Sequence, residues 1–284
     1  MLVVTGANGK LGRHVIEALL EKVPAQQVVA AVRSPEKAAD LAARGVQVRL
    51  ADYEKPETLA SALAGAQKVL LISSSEVGRR VSQHRAVISA AREARVRLLG
   101  YTSVLHGEAS GLKLAAEHQA TERALRESGL AFVLLRNGWY LENYTENLGP
   151  ALQQSALIGS AGEGRVAAAS RADYAAAAVA VLTGTGHENK AYELAGDHPF
   201  TMAELAAEVS RQVGKTVAYR NLPPEQYLAA LKAAGLPEAY AGLLVDSDLG
   251  ISRGELDDSS GDLRRLIGRP ATPLASAVAA ALKR

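Results

Sequence analysis

Val4-Thr5-Gly6-Ala7-Asn8-Gly9-Lys10-Leu11-Gly12 is the stretch on which the reading of this chain turns. A short apolar run at 2–5 leads into it and a helical pattern at 11–22 follows it. A strand that ends in three glycines and then becomes a helix brings backbone N–H groups and the positive end of that helix to one spot. That is what binding a pyrophosphate requires. The glycines are spaced G-x-x-G-x-x-G rather than G-x-G-x-x-G, but the demands are the same. Gly6 permits the tight turn, Gly9 removes a side chain where phosphate approaches, and Gly12 lets helix and strand pack closely. A glycine-rich turn with no ligand is the bland alternative, and context decides between the two.

Working outward, the context is a repeating one. Strand patterns at 2–5, 27–32, 46–50, 68–72, 97–102 and 131–135 alternate with helical patterns at 11–22, 35–43, 56–63, 79–94 and 112–128. Pro35 and Pro56 start helices, while Gly45, Gly65 and Gly129 stop them. Runs such as Lys68-Val-Leu-Leu-Ile72 are apolar on both faces, as a sheet covered by helices requires. The fold class is therefore α/β, a doubly wound parallel sheet of the Rossmann type with a smaller C-terminal substrate lobe. After Arg136 the rhythm breaks. Short strands are expected at 166–169 and 192–194, a helix from Asp173, and a mostly helical stretch from Phe200 to the end. Residues 1–137 form the nucleotide-binding core, to which 162–194 returns, and residues 138–161 and 195–284 form the lobe.

Composition narrows the partners. A net charge of +2 leaves no electrostatic footprint for nucleic acid or an anionic membrane. The purest apolar stretch, 174–182, is about half the length that spans a bilayer. Without cysteine there is no thiol nucleophile, disulfide or Cys-ligated zinc. The six histidines lack metal-ligand spacing, so no metal is expected, and nothing calls for a flavin. A soluble, cytoplasmic protein is expected, and its oligomeric state is not legible.

Strand two ends at Arg33, where an NAD-preferring site usually carries an acidic residue for the ribose hydroxyls. A guanidinium instead matches a 2′-phosphate, so NADP(H) is the expected dinucleotide. Ser73, Ser74 and Ser75 follow strand four, where small side chains let adenosine or ribose pass. Thr102 and Ser103 end strand five, near where a nicotinamide would lie. Either group could equally be turn chemistry.

An absence is also informative. Many reductases of this fold donate a proton from a Tyr-x-x-x-Lys helix, yet none of the nine tyrosines has lysine four residues on. The corresponding helix offers His118 with Glu117 and Glu122, a conceivable relay, although a helix-surface histidine is the plainer reading. His106 is the histidine expected to face the cleft. Asp257 and Asp258 read as a solvated cap. Hydride added to a ketone makes an alkoxide near the ~16 of bulk water, and lacking a positioned acid costs roughly 10²–10⁴-fold. Hydride added to a quinone makes a phenolate-like anion with a pKa of about 10, which solvent can protonate. The acceptor is thus expected to be a quinone or another electron-poor conjugated molecule. A protein that binds NADP(H) without turnover would fit the same absence.

The chain holds one Trp, nine Tyr and two Phe, and Trp139, Tyr140 and Tyr144 fall within six positions just past strand six. They are interleaved with Asn137, Glu142, Asn143 and Asn147, a mixture suited to a flat substrate and a carboxamide. Gly138 allows close backbone approach. A packed connector between lobes is the alternative.

At these residues the chain resembles the type 2 NADPH:quinone oxidoreductases, in the NmrA-like branch of atypical short-chain dehydrogenases. The resemblance rests on the glycine loop, Leu71-Ile-Ser-Ser-Ser-Glu-Val-Gly78, Leu134-Leu-Arg-Asn-Gly-Trp-Tyr140 with Glu142-Asn143, and Arg171-Ala-Asp-Tyr174. It extends through Tyr192-Glu-Leu-Ala-Gly196 and Leu266-Ile-Gly-Arg-Pro270. It implies flavin-free quinone reduction with NADPH in a cleft between two lobes. It also implies a cofactor site lined by Gly6, Ala7, Asn8, Gly9, Lys10, Leu11 and Arg33, by Ser73, Ser74 and Ser75, and by Gly138, Trp139, Tyr140, Leu141, Glu142 and Asn143. Tyr140 would stack on or hydrogen-bond the substrate and Asn143 would orient the substrate or the carboxamide, as the catalytic pair. A triphenylmethane dye reductase is similar enough to be an alternative, as is an NADP(H)-sensing regulator without turnover. Asn8 stands where the family often has Thr.

Replacing Arg33 tests the 2′-phosphate reading. At roughly 1.5–3 kcal/mol for charge-assisted hydrogen bonds, Arg33→Asp should shift preference toward NADH by about ten- to hundredfold. An unchanged ratio of kcat/KM for the two cofactors would remove the assignment.

Overall fold

Seven parallel strands form the sheet that the alternating pattern demands, in a computed structural model that describes residues 1–146 and 148–283. They are β1 (Leu2–Thr5), β2 (Val28–Val32), β3 (Gln47–Leu50), β4 (Lys68–Leu71), β5 (Leu98–Val104), β6 (Phe132–Asn137) and β9 (Lys190–Leu194). Their order is β3-β2-β1-β4-β5-β6-β9. Two short pairs stand apart: β7 (Ala156–Gly159) lies parallel to β11 (Ala218–Asn221), and β8 (Arg165–Val166) runs antiparallel to β10 (Phe200–Thr201).

Both faces of the sheet are covered, because successive side chains of each strand point opposite ways. Val4, Ala30, Leu70 and Val133 enter one core with Val15, Ile16 and Leu19 of α1 (Lys10–Leu20) and the alanine-rich α8 (Arg171–Thr183). Val3, Ala31, Val69 and Leu99 enter the other, with Leu59 of α3 (Pro56–Ala62), Val87 and Ala91 of α4 (Arg80–Glu93) and Leu125 of α5 (Ala115–Glu127). The short α2 (Ala39–Ala43) precedes β3, after a 3-10 turn that begins at Pro35.

A third core gathers Leu141, Leu148, Phe200, Leu205 and Ile251. It unites α6 (Glu142–Thr145), α7 (Leu148–Gln154), α9 (Met202–Val213), α11 (Glu238–Ser252) and α13 (Leu274–Leu282), while α10 (Pro224–Ala233) packs on α11. The chain then turns back, and Leu263 of α12 (Asp262–Ile267) joins the core beneath α1 and α8.

The sequence reading needs three adjustments here. The strand expected at 166–169 is only the two-residue β8. The region after Phe200 holds β10 and β11 among its helices, and these are too short and too polar to show a periodicity. Central strands β5 and β6 pair along six residues and run on to Val104 and Asn137, which draws Ser103 into the sheet.

Gly12 is the tightest of the loop glycines: a Cβ there would stand 2.4 Å from the Gly6 carbonyl oxygen and 2.7 Å from Ala7 Cα, both backbone atoms. Gly12→Ala should therefore cost about 1–3 kcal/mol, read as a lower urea midpoint at unchanged slope. A wild-type midpoint would show that α1 and the loop are not in this contact.

Candidate active site

Strand order reverses between β1 and β4, and in open parallel sheets ligands collect outside the carboxyl ends of the strands at such a reversal. A cleft of about 560 Å³ opens at that place. The glycine loop forms its floor: Gly6 takes φ +60°, Gly9 N–H donates to the Gly6 carbonyl at 2.9 Å, and a Cβ at Gly9 would lie 3.1 Å from that oxygen. The α1 N-terminus has no side-chain cap, which leaves its first N–H groups for a ligand. These features fit a phosphate.

The loop is tied down locally. Asn8 Nδ2 donates to the Ser34 carbonyl at 3.3 Å, and Arg13 donates to Asn8 Oδ1 at 2.7 Å, fastening the loop to the segment after β2. Arg33, Ser34 and Lys37 line that end of the cleft. Arg33 is exposed and its guanidinium meets Glu76 at 2.6 Å, so it reaches across the carboxyl edge of β1 toward the segment after β4. Ser73, Ser74 and Ser75 line the cleft with Ile72 and Glu76.

Five cationic side chains (Lys10, Arg33, Lys37, Arg80 and Arg171) line the cleft against two carboxylates, Asp52 and Glu76. That surplus suits a polyanion. Glu146 holds two of the cations: Lys10 pairs with one of its carboxylate oxygens and Arg171 with the other, at 2.5 Å. Burial alone would raise the Glu146 pKa, but its bonds to Lys10 and Arg171 bring it below the usual range.

At the β6 end of the cleft stands Tyr140. Its ring meets Tyr174 edge-on at 5.3 Å, and the Arg171 guanidinium lies 5.2 Å from its centroid. Burial pushes the Tyr140 pKa up, so the phenol stays protonated. Arg171 is set by the start of α8, where Ser170 and Asp173 cap one another and Glu142 accepts the Arg171 N–H at 3.0 Å.

Other expected residues sit elsewhere. Ala7 belongs to the loop but is fully buried beneath it, whereas Lys10 and Leu11 line the cleft. Gly138 is needed for packing: its N–H donates to Leu194 O at 2.8 Å, and a Cβ would stand 3.1 Å from the Tyr174 hydroxyl. Trp139 and Leu141 pack into the third core. Glu142 is spent on capping α8, and Asn143, on the same short helix, is exposed and outside the cleft lining. Asn147 lies outside the described residues.

Several readings are corrected. His118 is buried, not on the helix surface, and bonds the Tyr101 hydroxyl at 2.8 Å, because α5 turns that face onto β5. Burial and then Arg80 bring its pKa down to about 3, so it is no relay near neutrality. His106 takes φ 64° and bonds the Asp257 carbonyl at 3.0 Å rather than facing the cleft. Ser103 donates to the buried Glu122, which also holds Arg136 at 2.7 Å. Thr102 accepts the Ser73 N–H.

The reading from sequence missed Tyr53, Arg80, Gln83 and Arg171, all of which line the cleft. Tyr53 follows β3, the neighbour of β2, and its hydroxyl bonds Thr5 Oγ1 at 2.5 Å. The rule that ligands gather at carboxyl ends could have flagged it. Arg171 comes from a distant segment and carried no such signal.

A family model described as NAD(P)H-binding matches residues 6–185. Quinone oxidoreductase 2 of Escherichia coli is 54% identical over 98% of this chain and 97% of its own length. The crystal structure of NADPH-dependent quinone oxidoreductase from that organism, complexed with NADPH, superposes with a TM-score of 0.97 at 53% identity, covering 99% of this chain and 100% of that one. The triphenylmethane reductase of Citrobacter sp. complexed with NADP(H) superposes at 0.95 with 41% identity, over 99% and 100%.

Arg171 offers a direct test of the cleft's electrostatics. Arg171→Ala should raise the Kd for NADPH about tenfold, as loss of a charge-assisted contact does, in a fluorescence titration at low salt. An unchanged Kd would confine Arg171 to its pairing with Glu146.

Proposed function

Because the chain belongs to the NAD(P)H-binding family and, within it, to the type 2 NADPH:quinone oxidoreductases, we propose that it reduces quinones by two electrons with NADPH as donor and without flavin. The observation that carries this reading is the cleft at the strand reversal. It has a glycine phosphate floor and a cationic lining, and at its β6 end a protonated tyrosine stands where no Tyr-x-x-x-Lys pair does. The glycine loop with Lys10 and Arg171 would hold the pyrophosphate, Arg33 and Lys37 the 2′-phosphate, and the serines after β4 the neighbouring sugar.

Bound NADPH would supply a hydride. The chain's own part is to place the acceptor and stabilise charge that gathers on its oxygen. Tyr140 can donate a hydrogen bond to that oxygen throughout the neutral range, since burial keeps its phenol neutral. Arg171 adds positive charge beside it. One quinone, one hydride and one proton make one hydroquinone. The intermediate anion is phenolate-like, so solvent can supply that proton.

Reduction of a cationic triphenylmethane dye is a second reading, supported by the 41% identity to a reductase of that class. Such an acceptor needs hydride and no proton.

The assay follows NADPH oxidation by the purified chain, without added flavin, on benzoquinone, menadione and a triphenylmethane dye. Turnover with the quinones is expected; tight NADPH binding with no turnover on any acceptor would favour a sensor and overturn the proposal. Tyr140→Phe should lower kcat/KM for quinone by about tenfold or less, the effect of one hydrogen bond. A loss of 10²–10⁴-fold would instead mark Tyr140 as an obligatory acid.

A further inference from the structure

Below the cleft lies a fully buried histidine that the proposed chemistry does not use. His84, on α4, has no exposed surface. Its Nε2 accepts the backbone N–H of Ser74 at 3.0 Å, and its Nδ1 lies 2.9 Å from Thr121 Oγ1. Thr121 donates its own proton to the Glu117 carbonyl at 2.8 Å, so its oxygen must accept from His84. The network therefore assigns the tautomer: Nδ1 carries the proton and Nε2 presents a lone pair to the serine loop.

We propose that His84 is a positioning residue for the cofactor, fixing the serine loop through the Ser74 N–H so that Ser73 and Ser75 meet the dinucleotide. The proposal rests on the NADP(H) reading of the cleft.

Ser74 is anchored within the protein at its N–H, its carbonyl and its hydroxyl oxygen. Its N–H goes to His84, its carbonyl accepts from Arg80 Nε at 2.6 Å, and its hydroxyl accepts from the Glu76 N–H at 3.1 Å. Ser73 N–H is held by Thr102 at 2.8 Å. The hydroxyls of Ser73 and Ser75 take no part in this anchoring, and both residues line the cleft. Two successive N–H groups of the loop are thus held by side chains from α4 and β5 rather than by a strand partner.

Only a neutral imidazole can accept the Ser74 N–H. Burial, and then Arg80, bring the His84 pKa down to about 3, which keeps it neutral wherever the protein works. Tyr53 and Tyr101 meet the ring edge-on at 6.5 and 5.3 Å and fix its plane. Tyr53 itself lines the cleft, so the imidazole supports the site through two routes.

The test uses His84→Leu, His84→Gln and Thr121→Val in the full chain. Melting curves establish that each is folded, NADPH titrations give Kd, and steady-state kinetics follow with menadione. Leucine keeps the bulk but leaves the Ser74 N–H unpaired. Kd and KM for NADPH should rise about tenfold, with kcat at saturating NADPH changing far less than KM. Glutamine, whose amide can accept at one end and donate at the other, should restore most of the affinity. Thr121→Val leaves the tautomer unassigned and should weaken NADPH by a smaller factor.

A folded His84→Leu protein with wild-type Kd overturns the inference, as does a loss of kcat equal to the rise in KM that glutamine fails to rescue. If His84→Leu does not fold, Thr121→Val decides, and an unchanged Kd there overturns it. Failure of the wild-type chain to bind NADPH would instead bring down the cofactor reading itself.

Discussion

Between the Gly6 carbonyl and the start of α1 there is no room for a methyl group, and the placing of the cleft follows from that contact. Because α1 begins hard against the end of β1, its free N–H groups open onto the gap between β1 and β4. The two apolar faces of the sheet hold this geometry from either side. Val15 and Ile16 press α1 down on one face, and Val87 and Ala91 of α4 press from the other. The loop itself is anchored in the first of these cores through Ala7 and Leu11.

What could be read from the chain was what is local in it. The glycine loop, Arg33 and the serines after β4 each lie within a few residues of a strand end, so periodicity and turn chemistry were enough to place them. Arg171 reaches the cleft from a separate segment, and no spacing along the chain announces that. The segment after β6 shows the limit from the other side. It was legible as unusual, yet its residues divide among three tasks: Tyr140 to the cleft, Trp139 and Leu141 to the third core, Glu142 to the cap of α8. Aromatic density marks a junction between cores as readily as a substrate site.

Charges buried near the site have structural work. Burial would raise the pKa of Glu122, but Arg136, then Ser103, bring it below the usual range. The ionised carboxylate thus contributes stability above the ordinary Glu pKa that is lost only as pH falls through its lower folded value. Arg136 also binds Glu193 of β9 at 2.7 Å, joining α5, β6 and the edge strand. Gly107 has no side chain because that guanidinium occupies the place: a Cβ would stand 2.2 Å from it. Ser103, expected near the nicotinamide, and His106, expected to face the cleft, are parts of this clamp.

The same accounting bears on proton supply. His84 and His118 are kept neutral by burial, and Tyr140 is kept protonated, so these groups hold their charge through the neutral range. Asp248, by contrast, is pushed up to about 6 by burial, although the Ser160 N–H stabilises its charged form. It lies on α11, which contributes to the third core, and does not line the cleft. With its folded pKa above the unfolded one, its effect on stability is most favourable at low pH and lost as pH rises through about 6. A pH dependence near that value would therefore report the packing of α11 against the Ser160 segment rather than delivery of a proton. That is consistent with an acceptor whose reduced anion draws its proton from water.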